Sequence, residues 1–121
     1  HPNKMQKISL PHILIVEGVT ALQLPAEQLD LKIYIEADLK NIKKWYLSRT
    51  LDVTALAKND PSSWRYKYAN MPLDEFTAVA MQVWEQTNQK NLDEYILPTK
   101  YHADAVVYLD KQHQVLEIEL K

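Results

Sequence analysis

Residues 72–99 read PLDEFTAVAMQVWEQTNQKNLDEYILPT, and their spacing predicts one long helix. Pro72 fits a first helical turn, where a missing backbone N–H costs nothing. Asp74 and Glu75 come next in that turn, where the helix dipole favours negative charge. Leu73, Phe76, Ala80, Val83 and Thr87 recur at helical spacing, and Trp84 widens the stripe. The pattern runs to about Leu92, and Pro98 ends the segment beyond it. Met81, Trp84, Asn88 and Asn91 succeed one another at three or four residues, so two amides continue an apolar line. A buried amide without a partner costs about 1–3 kcal/mol. Either Asn88 faces solvent or something supplies its hydrogen bonds.

Composition narrows the classes. At 121 residues with a formal net charge of −2, the chain is one domain or part of one, with no basic field for nucleic acid and no polybasic membrane patch. It has no cysteine, which excludes disulfides and thiolate metal sites and fits a cytoplasmic protein. No apolar run approaches the roughly 18–20 residues of a membrane span, and the opening HPNKMQK is unlike a signal peptide. Gly18 is the one glycine. A GxxxxGK[ST] loop needs two glycines and a dinucleotide fingerprint more, so these residues hold no glycine-rich phosphate cradle.

Working outward, the unbroken run Ile13, Leu14, Ile15, Val16 reads as a strand buried on both faces, as in a parallel sheet. Glu17 and Gly18 end it. A carboxylate at a strand's carboxyl end suits a metal ion or a substrate hydroxyl, and equally a solvated residue before a turn. Residues 31–37 (LKIYIEA) alternate as a second strand. Asp38 fits an N-cap, and a helix runs from there to about Leu51, with Leu39, Ile42, Tyr46, Arg49 and Val53 sharing one face. Arg49 beside Tyr46 suits an anionic ligand or an arginine reaching out from a core edge. Residues 59–63 form a turn in which Asp60 or Ser62 caps a short aromatic helix bearing Trp64, Tyr66 and Tyr68. Residues 103–110 and 115–120 read as a hairpin. The order strand, strand, helix, helix, strand, strand indicates α/β.

Three segments carry a likeness to a known family: ILIVEGVTALQ at 13–23, WYLSR at 45–49 with DPSSWRYKYA at 60–69, and AMQVWEQTNQKNLDEYILPT at 80–99. Together they resemble the C-terminal part of bacterial type I pantothenate kinases, members of the P-loop kinases near uridine kinase and phosphoribulokinase. The resemblance implies a single partial domain, 1–121. Its fold would be part of a three-layer α/β architecture: a mixed sheet with parallel strands, two main helices and a C-terminal β-hairpin. It implies ATP and Mg²⁺ as cofactors of the intact enzyme, which phosphorylates pantothenate on the route to coenzyme A. By position, Tyr46, Arg49 and Asn88 match residues lining the pantothenate pocket, with Trp64 and Tyr68 on its wall. Arg49 also falls near the phosphates, Glu17 matches a magnesium-holding acid, and His113 matches a histidine near the adenine.

The chain also departs from that family. The phosphate loop with its lysine, the strand bearing the catalytic aspartate, and a histidine and tyrosine segment have no counterpart here. Phosphoryl transfer depends on positioning and on charge stabilisation around the phosphates, so these residues alone are expected to be inactive. Thr50, Val53 and Lys58 stand where the family commonly has phenylalanines. In this class the phosphate-loop strand would lie between strands 13–16 and 31–37. Two edges would then face a gap, closed by direct pairing or by exchange between two copies in a homodimer or larger oligomer. The other readings are a non-catalytic dimeric interaction protein built on the long helix, and part of a related nucleoside kinase.

Overall fold

The computed structural model describes residues 6, 7 and 9–121. Its sheet has three strands in the order β1 (Ile33–Ala37), β2 (Ala105–Leu109), β3 (Val115–Leu120). β1 and β2 run parallel, with Tyr34 opposite Val106. β2 and β3 form the antiparallel hairpin, with a bulge at Tyr108/Leu109. The parallel pair is clamped at its base, where Asp104 Oδ2 accepts from the Lys32 backbone N–H at 2.8 Å. The α/β class, the parallel pair and the terminal hairpin are as the sequence indicates.

The crossover between β1 and β2 holds the helices. α1 (Leu39–Ala55) runs a turn beyond its expected end and buries Thr54. Asp38 stands at its N-cap, but its backbone carbonyl, not its carboxylate, accepts from Asn41 and Ile42. In the turn before α2 (Tyr66–Ala69), the Asp60 carboxylate accepts from both the backbone N–H and the hydroxyl of Ser62. α3 (Leu73–Val83) carries Asp74 and Glu75 in its first turn, with Pro72 one position earlier than expected, at the N-cap. The helix does not then continue as plain α. A π turn, Trp84–Asn88, leads into a short α segment and a second π turn, Leu92–Ile96. A 3-10 turn, Leu97–His102, carries the chain to β2.

One sheet face makes the main core. Val106 is fully buried against Tyr34 and Ala103, with Leu22, Ile96 and Tyr108 packed around them. Lys100 Nζ reaches across to Glu36 Oε2 at 2.6 Å and ties the 3-10 turn to β1. Burial holds the Tyr34 phenol above its usual range. The opposite face is apolar and bare: the register aligns Ile33 and Ile35 with Ile118 and Leu120, all exposed.

The 13–16 strand is the fold expectation that fails. Ile13, Leu14, Ile15 and Val16 are 48–83% exposed and pair with nothing among the described residues. A strand exists through a neighbour's ladder, and no neighbour is there. Direct closure of the gap onto β1 therefore does not occur, and the outer edge of β1 stays unpaired among the described residues. The chain exposes 10031 Å², where a compact monomer of 14.1 kDa exposes about 6,700 Å².

Candidate functional site

A cavity of about 370 Å³ lies where α1, the segment 64–68 and α3 meet. Its volume falls within the range of small-ligand sites. α1 supplies Tyr46 and Arg49, spaced to share one face. The 64–68 segment supplies Trp64 and Tyr68. Asn88, the last residue of the first π turn, supplies an amide. The structure thus brings all five expected pocket residues to one hollow. Val53, Phe76, Val79, Ala80 and Val83 make most of the apolar wall.

Aromatic contacts set the wall's shape. Tyr46 packs on the buried Trp84 ring at 5.2 Å. Tyr68 meets Trp64 edge-on at 6.3 Å and Phe76 at 6.0 Å. Such tilted and edge-on pairs are the preferred aromatic geometries.

Asn88 is half-buried, and its side chain makes no hydrogen bond among the described residues. The amide has no protein partner among the described residues and lines the cavity, where its polar atoms remain accessible to solvent. The π turn bears on this. In an α-helix Trp84 and Asn88 would stack on one face. Here the Trp84 indole N–H donates instead to Gln89 Oε1 at 3.2 Å, five residues on, the spacing of a π turn. Gln89 satisfies the buried indole, and Asn88 is left to the cavity. Sequence reasoning missed Gln89 because it counted at 3.6 residues per turn throughout.

Arg65 and Thr54 were also missed. The guanidinium of Arg65 lies over the Trp64 ring at 4.3 Å and donates to Thr54 Oγ1 at 3.0 Å. Thr54 is 2% exposed. Extending the α1 face one turn past Thr50 would have found Thr54. Of Thr50, Val53 and Lys58, where the resemblance leads one to expect phenylalanines, Thr50 and Val53 line the cavity and Lys58 does not.

Two expected site residues lie elsewhere. His113 sits in the hairpin turn with a left-handed φ of 63°, in a loop where Asp110 Oδ1 accepts from the N–H groups of Gln112 and Gln114. Its exposed imidazole stacks on Trp45 at 3.9 Å, and the Trp45 indole donates to the Lys111 carbonyl, pinning the hairpin tip to α1. Glu17 is exposed and precedes Gly18, whose φ of 138° strains any other residue. Among the described residues no group of three His, Asp or Glu is placed to hold a metal. No helix described is long and apolar enough to cross a membrane.

Comparison with known proteins shows what the chain is similar to. No protein-family model matches the chain. Among curated proteins, a pantothenate kinase of Streptococcus suis (strain 05ZYH33) is 37% identical over 127 aligned positions, covering 99% of this chain. A pantothenate kinase of Streptococcus pneumoniae (strain 70585) matches at the same identity and coverage. Along nearly its whole length the chain is similar to pantothenate kinases. It spans 42% of the length of these relatives, consistent with a C-terminal segment of such a kinase. The cavity, Asn88 and Arg49 all lie within the pantothenate kinase-like region.

Proposed function

We propose that this chain, as a single partial domain 1–121, is the substrate-gripping part of a pantothenate kinase. The observation that carries the reading is the convergence of Tyr46, Arg49 and Asn88 from two helices on one apolar cavity walled by Trp64 and Tyr68. Pantothenate has an apolar dimethyl centre with hydroxyl, amide and carboxylate groups. An amide, a phenol and a guanidinium set in apolar walls are complementary to it.

ATP and Mg²⁺ belong to the intact enzyme in this reading. In this reading Arg49, exposed at the cavity, would meet phosphate oxygens, and His113, stacked on Trp45, would lie beside adenine. Glu17 alone builds no metal site. Mg²⁺ commonly takes one or two carboxylates and fills its octahedron with water and phosphate oxygens, so Glu17 would be a single ligand completed by nucleotide. The residues here hold no phosphate cradle of their own, and turnover is not expected from them alone. A cytoplasmic location fits a kinase of a coenzyme precursor.

Calorimetry with pantothenate, uridine and a buffer blank tests the reading. Heat of binding with pantothenate and none with uridine is the expected result. Binding of uridine in its place moves the chain to a nucleoside kinase, and turnover of ATP with pantothenate overturns the expected inactivity.

One observation favours an assembled state as well. The bare face of Ile33, Ile35, Ile118 and Leu120, the open β1 edge and the exposed 13–16 run leave far more surface than a compact monomer keeps. Exchange of the 13–16 segment between two copies would cover part of it, in a homodimer or larger oligomer.

A further inference from the structure

Among the described residues two arginines line the cavity and no carboxylate does. The chain as a whole is acidic, at −2, so the cavity's sign runs against its surroundings. Arg49 is exposed and can be answered by solvent. Arg65 is half-buried. A guanidinium has five N–H donors. Arg65 gives one to Thr54, and among the described residues the others have no protein partner. Among the described residues no side-chain nitrogen is both buried and unpartnered, so these free donors face the open cavity, where a ligand can take them up. Here Thr54 and the Trp64 face hold the fork in place without neutralising it.

We propose that Arg65 is the group that recognises the anionic end of the cavity's ligand, a small organic acid with an apolar body. This rests on the reading of the cavity as a ligand site. It adds the assignment of the carboxylate to Arg65, ahead of the more exposed Arg49. The half-buried position strengthens the attraction, because the effective dielectric falls away from bulk water. The stacked, hydrogen-bonded fork is ordered before the ligand arrives, which reduces the entropy lost on binding. A planar fork also matches a carboxylate in two-point contact, which a lysine cannot reproduce.

The test uses two fluorescent probes of one shape. 1-Anilinonaphthalene-8-sulfonate carries an anion, and N-phenyl-1-naphthylamine is its neutral counterpart. The intact chain is expected to bind the anionic probe at least tenfold more tightly. Arg65→Met should bring that ratio close to one while leaving the neutral probe's affinity unchanged. Arg65→Lys should restore part of the ratio, and Arg49→Met should lower it less than Arg65→Met does. The assignment is overturned if the intact chain shows no preference, if Arg65→Met keeps it, or if Arg49→Met has the larger effect. It is also overturned if Arg65→Met loses the neutral probe, since the arginine would then only be holding the wall. Pantothenate is added last as a competitor. If it fails to displace a probe whose ratio depends on Arg65, the pantothenate reading fails and the Arg65 assignment stands.

Discussion

Replacing Asn88 with leucine separates ligand recognition from folding, because the two respond in opposite directions. Asn88 is half-buried, lines the cavity and makes no side-chain hydrogen bond among the described residues. Leucine is of comparable size and has a higher helix propensity, by a few tenths of a kcal/mol. The unliganded protein should therefore keep its stability or gain up to about 1 kcal/mol, since a polar group leaves an apolar wall. Binding should weaken. With the carboxylate assigned to Arg65, Asn88 meets a neutral hydroxyl or amide, and such a hydrogen bond contributes about 0.5–1.5 kcal/mol, which is roughly 2- to 12-fold in Kd. Urea unfolding reads the first quantity and calorimetry with pantothenate the second. An unchanged Kd would refute the role given to the amide. A loss of stability above about 1 kcal/mol would show that Asn88 holds the π turn together, and that its position at the cavity is incidental.

Three further outcomes are expected. Val106→Ala removes two methyl groups at a fully buried position against Tyr34 and Ala103. At about 0.8 kcal/mol per buried carbon plus a cavity contribution, the cost is about 2–3 kcal/mol, and a urea-unfolding loss below about 1 kcal/mol would displace the core from this point. Stability should fall in alkali. The hydrogen bond donated to Glu36 raises the Lys100 ammonium, the hydrogen bond donated to Glu119 raises the Tyr108 phenol, and burial raises Tyr34. Groups with raised folded values hold their protons more tightly folded than unfolded, so their contribution is complete below about pH 10 and is lost as pH climbs through the folded values. Urea midpoints should be level from about pH 8 to 9 and drop above about 10, and a rise there would reverse the argument. Finally, sedimentation should give a dimer or larger species, and a clean monomer of 14.1 kDa would remove the exchange of segments between copies.

The α/β class, the terminal hairpin and the long helix were legible in the residues alone. They come from short-range regularities: alternation in 115–120, and three- and four-residue spacing on α1 and α3. Each such face points one way whatever it meets. Spacing also put Tyr46 and Arg49 together on α1, and the family likeness joined Asn88, Trp64 and Tyr68 to them. Long-range packing settled the rest. The apolar run Ile13, Leu14, Ile15, Val16 has the composition of a buried strand and lies exposed, because a strand forms only against a partner and none of the described residues provides one. The π turn at Trp84–Asn88 pairs the buried indole with Gln89 while Asn88 lines the cavity, an arrangement that no fixed periodicity encodes. Arg65 joins the site through Thr54, eleven residues earlier, and only the folded chain brings the two to hydrogen-bond distance.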